Sequence, residues 1–310
     1  MSTTTTIPHT TEDLTREQLF SKAACMTLSI HKVGFSRKTK VAIKSKADQT
    51  LVKRTKWIID CPEYRAITRL DDKAKRDCEK FKLPATIGRG MMLIAANDLM
   101  EVYRILDEYQ MQRHALIDKF CSVYTDRKLE AKDRLKDLYV ETEYPTLAEV
   151  RDKFRVDIQF LTFDLPGFLQ NVDRTLAERE REKMTELFKG YGEEIRGGLR
   201  DMLQGLVDHL LDALSSDNDG RPKTLRAAAL TNLTEFLTTF DRRNVTDDSE
   251  LDKVVTQLRN TLAGMTPKGL KKDLQYQEII RTSLQSVRSQ LTSLVVPQAT
   301  RRILTSQDDF

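Results

Sequence analysis

The stretch "KLPATIGRGMML", residues 82 to 93, sets Gly88 and Gly90 around Arg89 ahead of an apolar run, the outline of a loop that holds phosphate. A P-loop needs more: a lysine after its last glycine to reach the β and γ phosphates, and a Ser or Thr to ligate magnesium. Met91, Met92 and Leu93 stand in those places, so the nucleotide reading fails on chemistry. Arg89 itself keeps two readings. Between glycines its guanidinium can approach a phosphate or carboxylate unobstructed, and it can equally be a solvated loop tip.

The other constellations are equally incomplete. "SSDNDGRP" resembles the middle of an EF-hand, but aligning Gly220 with the loop glycine puts Ser215 at the first ligand position and Arg226 where the bidentate glutamate belongs. His209 between Asp208 and Asp212 is a weak metal corner with no second histidine near in sequence, and a partly buried histidine beside Leu206 and Leu210 is the simpler expectation. His114, flanked by Arg113 and near Asp118, reads the same way. No Gly-x-Ser-x-Gly elbow and no cysteine with a positioned histidine supports a covalent mechanism. Glu63, Arg65, Asp71 and Asp72 do not compose a nuclease motif. Cys25, Cys61, Cys78 and Cys121 stand singly, which predicts free buried thiols in a reducing compartment rather than disulfides or zinc. No catalytic residue, cofactor or metal is therefore assigned, and the chain is expected not to be an enzyme.

Charge gives the strongest surface signal. The net +4 is uneven: residues 31 to 90 hold 17 Lys and Arg against 7 Asp and Glu, or +10, leaving −6 for the rest. Nine cations lie between residues 32 and 56, interleaved with Phe35 and Trp57 as two candidate stacking rings. That is the composition of a phosphate-tracking surface, and equally of a solvated lysine face. The candidate binding residues are Arg37, Lys38, Lys40, Lys44, Lys46, Lys53, Arg54, Lys56 and Trp57, joined by Arg89 in an anionic-partner site at one end of a long helix.

The elements that would carry these residues follow from periodicity. "CMTLSIHKV" alternates through Met26, Leu28 and Ile30 and reads as a half-buried strand; "RVDIQFLTF", with Val156, Ile158 and Phe160 on one face, is a second, and the two are expected to pair. Pro62 opens a helix whose seam is Ile67, Leu70, Ala74, Cys78 and Phe81. From Met91 to Tyr139 there is neither proline nor glycine, which predicts one long helix or two in close succession. Thr146 with Glu149 forms the capping-box pattern of a short helix. Beyond "DLPGFL" helices are expected over 171–189, 193–215, 222–241, 249–263 and 272–296. Their seams include Ile195, Leu199, Met202, Leu206 and Leu210, and Ile280, Leu284, Val287, Leu291 and Leu294. These rhythms suit an intramolecular bundle or a helix exchanged between subunits. The fold class is thus mainly α with a small antiparallel sheet (α+β). It divides into a polar, disordered leader over 1–15, an α+β domain with a long helix over 16–170 and a helical bundle over 171–310. The longest apolar run, "MMLIAA", falls far short of the roughly 20 residues of a membrane span, and the leader lacks the basic and apolar regions of a signal peptide, so a soluble protein is expected.

The order of these parts over residues 25 to 170 resembles a family of phage and mobile-element proteins known as a domain of unknown function. It runs from the "LSIHKVGFSRK" strand through the charged stretch to Trp57, a Glu-Tyr-Arg helix, a proline and glycine loop and a long helix, to "YPTLAEVRDKF" leading into a β segment. Members are often encoded beside MoxR-type AAA ATPases and von Willebrand A-like proteins. The resemblance implies a cytoplasmic protein of a bacterial host that works without catalytic residues in a multi-component assembly. An AAA ATPase is a candidate partner and self-association is expected. The alternative is a nucleic-acid-binding accessory protein whose footprint is the basic 32–56 segment.

Overall fold

The computed structural model describes residues 15–39, 52–163, 173–215, 227–265 and 274–295. Residues 1–14 of the expected leader, the "SSDNDGRP" loop beyond Ser215, and Lys40, Lys44 and Lys46 lie outside the described residues. The chain forms two compact units. One holds residues 23–82 and 87–164; the other holds 1–22, 83–86 and 165–310, so the first helix and a four-residue stretch belong with the C-terminal helices. Eight α-helices and five strands occur among the described residues, a mainly helical fold with small antiparallel sheets.

In the unit of residues 23–82 and 87–164, β1 (Ala23–Ile30) is the middle strand of a three-stranded sheet in the order β4-β1-β5. The expected pairing holds: β1 runs antiparallel to β5 (Val156–Leu161), with Leu28 opposite Ile158. The other neighbour, β4 (Met91–Ala95), corrects the expectation that the long helix starts at Met91. A strand with Met92, Leu93, Ile94 and Ala95 all buried shows no apolar and polar alternation, so its period is invisible. Gly90, at φ +77°, supplies the left-handed turn that feeds β4. A short hairpin of β2 (Ser36–Lys38) and β3 (Thr55–Trp57) forms a second, two-stranded sheet.

Helix α2 (Pro62–Glu79) places Pro62 in its first turn, where a missing N–H is harmless. The long helix α3 (Leu99–Leu135) has 37 residues, about 55 Å at the α-helical rise. It ends where Lys136 takes a left-handed φ of 49°. The short α4 (Leu147–Asp152) carries the full capping box: Thr146 Oγ1 accepts from the Glu149 N–H, and the Glu149 carboxylate accepts from the Thr146 N–H. The sheet lies on α2 and α3 through Met26, Met92, Ile94, Ala74, Val102, Leu106 and Tyr109. A second core joins the hairpin to α3 and α4 through Phe35, Ile58, Tyr64, Phe120, Tyr124, Val150 and Phe154.

One buried ion pair ties these layers. Asp71 of α2 and Arg113 of α3 are 1% and 3% exposed. Asp71 Oδ1 accepts from Arg113 Nε at 2.9 Å and from the Tyr109 hydroxyl at 2.7 Å. Arg113 also donates to the His31 carbonyl at the end of β1, and its guanidinium lies 5.5 Å from the Phe154 ring centre. Each buried charge loses several kcal/mol of hydration, which these contacts to Oδ1 and to the guanidinium offset, while Asp71 Oδ2 is buried with no hydrogen-bond partner among the described residues.

In the other unit, α1 (Arg16–Lys22) packs on α5 (Arg174–Ala213), where Phe20 meets Phe188 edge-on at 5.6 Å. Helix α5 runs unbroken for 40 residues and corrects the expected break at 189–193. Gly192 is buried beside Phe188 and Tyr191, so packing outweighs the helix-weakening effect of glycine, about 1 kcal/mol. Gly198 is required for a different reason: a Cβ there would stand 2.5 Å from Pro84 Cβ. Next to it the Thr86 N–H donates to Glu194.

With α6 (Ala227–Arg243), α7 (Ser249–Leu262) and α8 (Leu274–Leu294), α5 closes a four-helix bundle. In it α5 and α7 each touch both α6 and α8. The expected seam of α8 is buried at Ile280, Leu284, Val287 and Leu291; in α5 the seam shifts to Leu203 and Val207, leaving Met202 exposed and Leu206 half-buried. His209 is correspondingly exposed, not partly buried, and so is His114. Arg200 pins three elements. It donates to Asp248, the N-cap of α7, at 2.7 Å and 2.9 Å, to Glu250, and to the Leu294 carbonyl at the end of α8. No helix among the described residues is long and apolar enough to cross a membrane.

Candidate interaction surface at the hairpin and Trp57

The hairpin register sorts the basic residues into two sets. Ser36 faces Trp57, Arg37 faces Lys56 and Lys38 faces Thr55, and side chains alternate between the two faces of a strand. Arg37 and Lys56 therefore share one face, which points into the unit. Arg37 donates to the carbonyls of Gly34 at 2.7 Å and Glu143 at 3.2 Å. The Lys56 side chain, 8% exposed, sits 2.6 Å from the Glu143 carboxylate and donates to the Leu138 carbonyl at 2.5 Å. Both cations hold the hairpin against the turns that follow α3.

The opposite face looks outward. Lys38, Thr55 and Trp57 are exposed on it, Trp57 at 58%, and Lys53 is exposed just ahead of β3. Arg54 is half-buried, and its carbonyl accepts from the Thr39 N–H. Phe35, read from sequence as a stacking ring, is instead fully buried, with Tyr64 at 4.9 Å and Phe120 at 5.8 Å between ring centres. One aromatic of the two is left to meet a partner.

Arg89 is exposed, in a turn where the Met91 N–H donates to the Gly88 carbonyl. That turn leads into a strand and not a helix, so it has no helix N-terminus to hold phosphate. No hydrogen bond or ion pair among the described residues joins Arg89 to the hairpin. The hairpin belongs to the core around Phe120, whereas β4 belongs to the core around Leu106.

Trp57 forms the rim of a cleft of about 290 Å³ whose floor is Ile58, Ile59, Cys61 and Ala131 and whose far side is Arg127, Glu130, Arg134 and Leu135 of α3. Sequence inspection missed these α3 residues, because only the fold brings residues 127–135 to Trp57. The charges around the cleft are matched among themselves. Asp60 accepts from Arg65 at 2.5 Å and 2.6 Å, which lowers the Asp60 carboxyl pKa. Arg127 donates to Glu63 and to Glu130, both at 2.9 Å, and holds Glu63 down at about 2. Arg134 lies 3.4 Å from Glu130. Burial pushes the Cys61 thiol up.

What such a rim offers is an indole beside an apolar floor with a fixed pattern of paired charges. Among the described residues no group of three or more His, Cys, Asp or Glu side chains is placed to hold a metal ion. No protein-family model, curated protein or solved structure matches the chain.

Proposed function

We propose that this chain is a non-enzymatic interaction protein acting in a multi-component assembly, and that Trp57 with its cleft seats a protein partner. The observation that carries the reading is the division of the hairpin. Its central cations, Arg37 and Lys56, are bound to Glu143 and to backbone carbonyls, while the indole of Trp57 is left in solvent beside an apolar floor. An exposed tryptophan over a pocket rimmed by paired charges is the make-up of an interface anchor, and tryptophan and arginine dominate such anchors. The AAA ATPase partner of a phage or mobile-element system rests on the resemblance over residues 25 to 170, and the self-association rests on the heptad-like seams of the C-terminal helices.

A second reading, nucleic-acid binding, is favoured by one observation: Lys38 and Lys53 are exposed at the two ends of a segment that carries Lys40, Lys44 and Lys46. Affinity capture of the full chain from its native cells, with and without nuclease, separates the two. A defined set of proteins that survives nuclease and is lost with Trp57→Ala supports the interaction reading. Loss of all captured material on nuclease treatment, with Trp57→Ala behaving as wild type, overturns it in favour of nucleic acid.

A further inference from the structure

A second concavity, of about 350 Å³, runs along the seam of α2 and α3 and shares no lining residue with the Trp57 cleft. Its walls are residues 70–81 and residues 101–112. Each wall covers about three helical turns, or about 16 Å at 1.5 Å per residue. Ala74 and Tyr109 make a buried floor. Leu70, Phe81 and Ile105 are only half-buried and turn their outer edges into the groove.

The two rims differ in sign. On α2, Lys73 and Lys80 flank Asp77, which accepts from Lys80 at 2.7 Å, so two cations meet one anion. On α3, Glu101 and Glu108 flank Arg104, which lies 2.6 Å from the first and 3.7 Å from the second, so two anions meet one cation.

We propose that this groove docks an amphipathic α-helix of a partner protein, about three turns long, with its apolar face down, its acidic edge along α2 and its basic edge along α3. The apolar lining stands at helical spacing on each wall, Leu70, Ala74 and Phe81 at steps of four and seven on one and Ile105 and Tyr109 four apart on the other, a spacing that can receive i, i+4, i+7 anchors of a third helix. An extended peptide would present side chains every second residue and match neither wall. A polyanion is repelled by Glu101 and Glu108, which leaves a helix with edges of opposite sign as the complementary occupant. The site is separate from the Trp57 surface and stands or falls independently of it.

The test uses the full chain and three side-chain-stapled peptides that share one leucine face: Glu on one edge and Lys on the other, Glu on both, and Lys on both. Fluorescence anisotropy is expected to show the mixed-edge peptide binding about tenfold tighter than the other two. In Lys73→Glu/Lys80→Glu both rims become acidic, and the order is expected to switch to the all-Lys peptide. Ile105→Glu should abolish binding while circular dichroism shows the helices intact, and Trp57→Ala should leave binding unchanged. Equal affinity for the three peptides, no binding, or an order unmoved by Lys73→Glu/Lys80→Glu overturns the proposal. Self-association of the free chain that Ile105→Glu abolishes, or displacement of the peptide by duplex DNA, also overturns it, naming a second copy or a nucleic acid as the occupant.

Discussion

Arg37 and Lys56 stand directly opposite each other across the β2–β3 ladder, two cations on one face, and Glu143 accommodates both: its carbonyl accepts from Arg37 and its carboxylate pairs with Lys56. Like charges in directly opposed positions destabilise a hairpin unless something lies between them. The same arrangement takes these two residues out of the exposed basic surface and turns Trp57, next along β3, to the other side.

That division makes Lys56 and Lys38 unequal. Lys56→Met should lower unfolding free energy by about 1–3 kcal/mol, since it removes the ion pair to the Glu143 carboxylate and the charged donor to the Leu138 carbonyl. Lys38→Met, on the exposed face, should stay within about 0.5 kcal/mol. Urea unfolding of the two variants checks the contrast.

The Asp71–Arg113 pair predicts a larger effect. Arg113→Ala leaves a carboxylate 1% exposed with only the Tyr109 hydroxyl on it, and should destabilise by about 3–5 kcal/mol. Arg104→Ala, which removes the exposed pairs to Glu101 and Glu108, should change stability by about 1 kcal/mol or less. Denaturant midpoints measured side by side give the comparison.

Acid should reach the fold through Glu63. Its pKa falls from 4.5 to about 2 in the folded chain, chiefly because Arg127 donates to it. A depressed carboxylate contributes stability that is fully present above its unfolded pKa and is lost as pH drops through the folded value. The expected window is therefore pH 4.5 down to about 2, and Glu63→Gln should flatten the stability profile there without altering its slope at neutral pH.

The four cysteines are buried, and burial raises the thiol pKa of each, that of Cys78 to about 11. The thiolate is the reactive form, so a thiol-titrating reagent at neutral pH should label none of them in the native chain and all of them in urea.

Much of this fold was legible because alternation and heptad-like seams report half-buried elements. The β1–β5 pair, α2, the Thr146 capping box, the α7 seam of Leu251, Val255, Leu258 and Leu262, and the α8 seam all carry such a signal. Strand β4 did not, because both its faces are buried, and the unbroken α5 did not, because Gly192 is tolerated only where Phe188 and Tyr191 pack. The Asp71–Arg113 pair left a trace that was open to reading: each apolar seam, through Ile67 and Ala74 on α2 and through Tyr109 and Ile117 on α3, is interrupted by one charge of opposite sign. Of the candidate surface, the basic run and Trp57 were visible. Which aromatic is buried was not, since Phe35 and Trp57 are separated only by how a three-residue hairpin meets Phe120 and Tyr124.

The chain holds a single tryptophan, so the emission of Trp57 is a direct reporter of the proposed contact. The decisive measurement titrates the full chain with a nuclease-treated, captured partner fraction and, separately, with single-stranded and duplex oligonucleotides, following emission wavelength and iodide quenching. The account predicts that the protein fraction shifts the indole emission to the blue and shields it from iodide, while oligonucleotides leave both unchanged. Shielding of Trp57 by oligonucleotide, with an affinity that falls by about one log unit per log unit of salt for each phosphate contacted, would contradict it.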